Sequence, residues 1–81
     1  MRFKLYTDAA LACDVPEHQL RRGDVVKIVD HHPSQNGENG YAIEVFNAVG
    51  DTIAVTAVAE SALEPLHKNE VLSVRALTTA K

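Results

Sequence analysis

The sequence predicts an all-β protein, a small five-stranded SH3-like barrel with at most one short helical turn. Apolar and polar residues alternate along most of the 81-residue chain, which is the pattern of strands with one buried face. Glycine, proline and asparagine interrupt this alternation at short intervals, so turns and not full helices are expected to join the strands. Closing short strands into a barrel reduces the exposed edges that invite aggregation.

Length and composition predict a single domain. The chain is 46% hydrophobic and 23% charged, which is typical of a globular and not of a disordered protein. We expect one packed unit at residues 1–77, followed by a polar tail at 78–81. A chain of this length buries only about 60–65% of the surface that it exposes when unfolded, so a deep substrate pocket and an enzymatic function are not expected.

The first half of the chain contains three segments with strand character. Residues 1–5 alternate apolar and cationic side chains, which predicts an opening strand. Asp8–Val15 fits either an extended strand or an alanine-rich helix, and we favour the strand. Pro16 ends this segment and begins a polar turn. The Arg21–Asp24 turn then precedes Val25–Val29, whose β-branched side chains favour a strand.

The second half alternates in the same way around turn-forming residues. Several alanines make a helix the competing interpretation between Ala54 and Ala62, and we favour a strand through Val58. In chain order we predict a solvated loop at Asp30–Gly40, a strand at Tyr41–Phe46, a hairpin turn at 47–51, a strand at Ile53–Val58, a helical turn at Glu60–Leu63 and a final strand at Glu70–Leu77.

The inward phase of each predicted strand defines the expected hydrophobic core. Each large buried side chain contributes about 1.5 to 3 kcal/mol, so a core of this size opposes the chain entropy only marginally. The predicted core consists of Phe3, Leu5, Leu11, Leu20, Val26, Ile28, Tyr41, Ile43, Val45, Ile53, Val55, Leu63, Leu66 and Val74.

A series of residues recurs along the chain in a fixed order. It comprises Asp8 to Leu11, Asp14 with Pro16 and Glu17, Leu20 with Arg22 and Gly23, Tyr41 with Ile43 and Glu44, Gly50 with Thr52 and Ala54, and Leu63 with Pro65 and Leu66. Over residues 3–66 the series resembles the domain of unknown function 4926 family of short bacterial proteins. The chain departs from that pattern at Val26, where a second glycine is expected, and by its His31-His32 pair.

The resemblance implies a small SH3-like protein that is encoded beside a second small protein in bacterial operons. It implies an antitoxin-like or accessory partner of that neighbour, and it supplies no established catalytic residues.

Two motifs offer chemistry, and for each we favour a structural interpretation. His31, His32 and Pro33 form a loop whose imidazoles are potential metal ligands, but adjacent residues of an extended segment point to opposite sides. Cys13 lies next to Asp14 among apolar residues, where a free cysteine is expected to be a small buried side chain and not a nucleophile. We therefore predict no metal, no cofactor and no catalytic residue.

Charge and hydropathy restrict the class of partner. Eight basic residues against eleven acidic ones give a net charge of -3, which argues against nucleic acid as the partner. No stretch approaches the roughly 18 apolar residues of a membrane span, and residues 1–12 lack the apolar run of a signal peptide. Cys13 is the single cysteine, so no intrachain disulfide is possible. A cytoplasmic protein without membrane contact is expected.

We accordingly predict a module that binds another protein, an operon-encoded toxin being the implied partner. The surface is expected where the turn at 21–24 faces the loop at 31–40, and unpaired edge strands also allow two copies to pair edge to edge. The predicted contact residues are Tyr6, Arg21, Arg22, Asp24, His31, His32 and Phe46.

The alternative is an SH3-like module that binds RNA on a ribosome or an RNA polymerase. In that case Arg21, Arg22 and Lys27 would contact phosphates. The acidic charge balance and the lack of aromatic residues among the basic ones argue against it.

Overall fold

The computed structural model describes residues 2–77, so Met1 and the tail predicted at 78–81 lie outside the described residues. The elements are β1 (Asp8–Leu11), a 3-10 turn (Pro16–His18), β2 (Val25–His32), β3 (Gly40–Phe46), β4 (Thr52–Ala59), a 3-10 turn (Glu60–Ala62) and β5 (Leu63–Glu64). No helix in this part of the chain is long and apolar enough to span a membrane.

The strands form one antiparallel sheet with the order β4-β3-β2-β1-β5. This confirms the prediction of an all-β fold with five strands. Two single turns of 3-10 helix are present where at most one was predicted. Within residues 2–77 the edge strands β4 and β5 do not pair with each other, so hydrogen bonds do not close the sheet into a barrel.

The opening strand predicted at residues 1–5 is wrong over its described part, because residues 2–7 are not in a strand. Tyr6 adopts a positive φ of 65°, which breaks the extended conformation before β1. Phe3 is nevertheless buried, as predicted, and its ring packs edge-on against Tyr41 with centroids 5.5 Å apart.

β1 confirms the preference for strand over helix after Asp8, but the strand ends at Leu11. Ala9 and Leu11 point into the core, and the chain then bends away from the sheet. Cys13 is therefore exposed, and the prediction that it is a buried side chain is wrong.

β2 extends to His32, so the loop predicted to begin at Asp30 is shorter than expected. The register of β2 against β3 shifts between Ile28 and Asp30, which marks a β-bulge. His31 consequently lies opposite Tyr41 and shares its face of the sheet. Strand pairing thus continues past a single-residue bulge into the segment that was predicted as a polar loop. The alternation of hydrophobic residues in the sequence does not reveal the bulge.

The inward phase of β4 is opposite to the predicted one. Ala54, Thr56 and Val58 lie opposite the buried residues of β3 and share their face. Ile53 and Val55 therefore face outward and are exposed, Val55 by 59%, which makes their assignment to the core wrong. The register shift between Val45 and Phe46 places Ile53 in the bulge and sets this phase.

The final strand predicted at Glu70–Leu77 is absent from the structure. Pro65 follows β5 directly, and a turn closed by the Glu70 N–H and the His67 carbonyl (3.1 Å) directs the chain away from the sheet edge. Val74 is 87% exposed and Leu66 is also exposed, so neither belongs to the core. Residues 65–77 are called the C-terminal segment below.

The observed core retains most of the predicted residues, although Leu5 is only half-buried. Tyr41 is at its centre, and its hydroxyl donates a hydrogen bond to Glu60 Oε2 (2.8 Å). The same hydroxyl accepts from the backbone N–H groups of Arg2 (3.1 Å) and Phe3 (3.2 Å), so this buried polar group is satisfied. The buried apolar residues are Phe3, Ala9, Ala10, Leu11, Val15, Leu20, Val26, Ile28, Tyr41, Ile43, Val45 and Leu63.

Candidate functional site

Large apolar side chains are exposed at ten positions among the described residues, and all but Tyr6 and Val55 line one cavity of about 1090 Å³. We call this cavity the groove. Its exposed apolar lining comes from two stretches of the chain, the β3–β4 hairpin and the C-terminal segment. The side chains are Phe46, Val49, Ile53, Leu66, Val71, Leu72, Val74 and Leu77.

The floor of the groove is the face of the sheet that points away from the core. Ala10 on β1 pairs with Val25 on one side and with Glu64 on the other, and all three line the groove. Their neighbours along the strands, Ala9 and Val26, point into the core. Ala10 is buried although it faces away from the core. The residues around the groove therefore shield part of this second face of the sheet from solvent.

An ion pair anchors the C-terminal segment, and both of its residues, Arg75 and Asp24, line the groove. Arg75 Nε donates to Asp24 Oδ1 (3.1 Å), and its Nη2 donates to the other carboxylate oxygen and to the Gln19 carbonyl (2.9 Å). The contact with the carboxylate is bidentate, which is the favoured geometry for a guanidinium. It connects the segment to the turn that precedes β2.

The anchor changes the ionisation of Asp24. Partial burial is the largest single influence and raises the pKa of this carboxyl. The hydrogen bonds from Arg75 and from the Arg21 backbone N–H (2.7 Å), together with their positive charges, outweigh that influence. The pKa of Asp24 is therefore held below its ordinary value, which means that the carboxylate is ionised when the anchor is formed.

Little else holds the C-terminal segment in place. In the described part of the chain, no backbone hydrogen bond joins residues 65–77 to the sheet. Five of its large apolar side chains are exposed, Val71 by 90%. A segment with few buried contacts and without ladder hydrogen bonds opens at low free energy. The groove is thus bounded on one side by rigid sheet and on the other by a loosely held segment.

The structure brings some of the predicted contact residues together and separates others. Arg21, Arg22, Asp24 and Phe46 all line the groove. Tyr6, His31 and His32 do not line it. The turn at 21–24 and the loop after His32 lie at opposite ends of the eight-residue strand β2, roughly 25 Å apart at the usual rise per residue, so they do not form the single surface that was expected.

The two histidines have different environments. His31 is half-buried, and its ring packs against Tyr41 with centroids 5.0 Å apart and an interplanar angle of 38°. Its Nε2 atom is buried without a hydrogen-bond partner among the described residues. His32 is exposed at the end of β2. Of these two histidines, His31 is thus largely a packing residue and His32 presents its imidazole to solvent.

The described residues do not assemble a metal centre, since no three His, Cys, Asp or Glu side chains within 2–77 are close enough to share an ion. Arg75 and the apolar residues around it are the part of the groove that the sequence analysis missed. The alternating pattern of these residues predicted a strand. The one sequence signal for the ion pair was a single arginine, Arg75, within an otherwise apolar stretch.

Comparison with known proteins places the fold in a family. No curated protein and no solved structure matches the chain significantly. Residues 5–65, which contain all five strands, match the family described as Domain of unknown function (DUF4926). Apart from Leu66 onward the groove therefore lies within the matched region. The chain belongs to the DUF4926 family.

Proposed function

We propose that this protein is a non-enzymatic module that binds another protein in the groove. One observation carries the proposal: eight of the ten exposed large apolar side chains in the described residues line the same cavity. Single exposed apolar residues are ordinary, but a contiguous set on a small domain is typical of an interaction surface. An antitoxin-like or accessory role beside an operon neighbour is the form of this function that we propose.

The groove has the anatomy of a protein interface. Aliphatic side chains of the C-terminal segment and Phe46 supply an apolar centre. Charged residues of both signs, including Arg22 and Glu70, lie among its lining residues. An apolar centre with polar surroundings fits a partner that inserts apolar side chains and pairs its own charges at the rim.

The positive charges of the described residues argue against the RNA alternative. Lys27 forms an ion pair with Asp8 (3.3 Å), and Arg75 is held by Asp24. Phosphate binding requires cations that are available to neutralise the nucleic acid backbone. Of the cations that the RNA alternative assigns to phosphates, Lys27 is instead paired with Asp8, and Arg21 and Arg22 lie beside acids, since their backbone N–H groups donate to Asp24 (2.7 Å) and Asp14 (2.9 Å). Protein binding is therefore the better supported function.

The experiment is affinity capture of the tagged protein from its native host, with and without nuclease, using two matched variants. Leu72→Asp places a charge in the groove, whereas Tyr6→Asp places the same charge outside it. The two side chains are 71% and 70% exposed, so neither substitution removes a core contact. Captured proteins are quantified by mass spectrometry.

We expect one stoichiometric protein that survives nuclease, is retained by Tyr6→Asp and is lost with Leu72→Asp. Loss with Tyr6→Asp and retention with Leu72→Asp would move the interface away from the groove. Ribosomal or polymerase subunits that disappear on nuclease treatment would favour the RNA-binding alternative and overturn the proposal.

A further inference from the structure

The two edges of the sheet differ in how well they are protected. β5 contains only two residues, Leu63 and Glu64, and Pro65 follows immediately, so this edge offers little backbone for pairing. β4 contains eight residues from Thr52 to Ala59, and its outer edge has no strand partner within the described part of the chain. The unprotected edge is therefore β4.

The sequence of β4 lacks the features that discourage edge pairing. The strand reads TIAVTAVA, with no charged residue and no proline, and its one bulge lies at the start, near Ile53. Natural edge strands usually carry a lysine, an inward charge or a central bulge. Val55 and Ala57 are instead exposed apolar residues in the middle of the strand.

Charge favours a second copy as the partner of this edge. The chain has a net charge of -3, so two copies repel each other over most approaches. β4 itself presents an uncharged strip along its whole length. The nearest acid is Glu44 of β3, which lies opposite Val55 and accepts a hydrogen bond from the Thr52 hydroxyl (2.5 Å), and Asp51 and Glu60 lie just beyond the ends of the strand. The strip is the surface on which two identical copies pair backbones without placing like charges directly opposite each other.

We propose that β4 pairs antiparallel with β4 of a second copy about a two-fold axis at Val55. In this register Val55 of one copy lies opposite Val55 of the other, and Ile53 lies opposite Ala57 of the partner. Outward-facing apolar residues therefore pair with one another. The inward-facing residues, Ala54 and Thr56, likewise face each other across the axis. The result is one continuous sheet of ten strands.

This interface shares only Ile53 with the groove and does not rest on the proposed function. Val55 does not line the groove, and the C-terminal segment does not contribute to β4. The alternative occupant of the β4 edge is the C-terminal segment of a second copy. Its anchor on Asp24 and Gln19 holds it at the β1–β2 end of the sheet, which makes β4 itself the better partner.

The test is sedimentation equilibrium of the full chain over a wide concentration range. Val55→Lys places two lysines opposite each other at the axis, whereas Val71→Lys makes the same change at an exposed valine of the C-terminal segment. We expect a dimer for the wild type and for Val71→Lys. For Val55→Lys we expect self-association weakened on the order of tenfold, because the apolar pair is lost and Glu44, opposite Val55 on β3, offsets only part of the repulsion between the two lysines.

Three results would overturn the proposal: a monomeric wild type at millimolar concentration, an unchanged dimer in Val55→Lys, or a dimer lost in Val71→Lys. Circular dichroism shows whether each variant is folded.

A second variant tests the register independently of charge. Val55→Cys in a Cys13→Ser background is expected to form an intermolecular disulfide on oxidation, because residues that lie opposite each other bring their Cα atoms within the range of a disulfide. Failure of that crosslink in a confirmed dimer would overturn the register.

Discussion

Arg75 is hydrogen-bonded to Asp24 across 51 positions of sequence, and this ion pair attaches the C-terminal segment to the turn before β2. The segment makes no backbone hydrogen bond to the sheet within the described residues, so the ion pair is its main polar attachment. Both side chains are partly exposed, so solvent screens the pair and its contribution to stability is small. The groove is thus closed on one side by a weak contact.

Asp24→Asn is expected to lower stability in a pH-dependent manner. The pKa of Asp24 is depressed in the folded protein, so the ionised carboxylate stabilises the fold at pH values above its ordinary pKa of 3.8. This contribution is lost as the pH falls below 3.8 and through the lower pKa of the folded protein. The variant should melt below the wild type at pH 7, and the difference should shrink towards pH 3. Thermal melts followed by circular dichroism across this range measure the effect.

Asp51→Asn is the matched control, because Asp51 is an exposed acid in the hairpin turn whose carboxylate contacts Asn47 (3.3 Å) and not Arg75. Its difference from the wild type should not follow the same pH dependence. A constant melting difference between Asp24→Asn and the wild type from pH 3 to pH 7 would show that the carboxylate is not stabilised by ionisation.

Arg75→Gln is expected to release the C-terminal segment without unfolding the sheet. Arg75 supplies the contacts to Asp24 and to the Gln19 carbonyl, whereas Lys68→Gln removes an exposed cation from the same segment. Limited chymotrypsin digestion should cut after Leu72 several-fold faster in Arg75→Gln, and Lys68→Gln should resemble the wild type. Equal digestion rates for all three proteins would mean that apolar contacts alone hold the segment.

Single alanine substitutions should separate the two histidines. His31→Ala removes a ring packed against buried Tyr41 and is expected to cost about 1 kcal/mol of unfolding free energy. His32→Ala changes an exposed side chain and should stay within about 0.5 kcal/mol of the wild type. Denaturant titration monitored by fluorescence of the tyrosines gives both values. The reverse ranking would contradict the placement of His31 on the inward face.

Gly50→Ala should destabilise the β3–β4 hairpin through the backbone alone. Gly50 has a φ of 94°, and an added Cβ meets no atom within 4 Å, so the cost of about 1 kcal/mol arises from the left-handed conformation and not from a clash. Gly37→Ala is the control, because no positive φ is required at that glycine. Equal melting temperatures for the two variants would place the hairpin turn in another conformation.

The local pattern was sufficient for much of the fold. β-Branched alternation located β2 and β3, and the glycine and aspartate at 50 and 51 located the hairpin between β3 and β4. The same pattern failed where a bulge or a chain reversal changed the phase. Val55 was assigned to the core because alternation cannot show that the hairpin shifts its register by one residue.

The candidate site was predictable only in part, for the same reason. Arg21, Arg22, Asp24 and Phe46 were identified from their turn and outward positions, and all four line the groove. Arg75 was placed in a final strand, and nothing near it in sequence indicates that it reaches Asp24.

By itself, the sequence determined the class of this protein: a small all-β domain of short strands with an acidic net charge and no intrachain disulfide. These properties depend on composition and on side-chain periodicity, which are local. Only the tertiary structure decided which face of β4 is buried, that the C-terminal segment leaves the sheet, and that eight exposed apolar residues share one groove. Those outcomes depend on strand register and on contacts between residues far apart in sequence, which compete at energies of about 1 kcal/mol and leave no local signature.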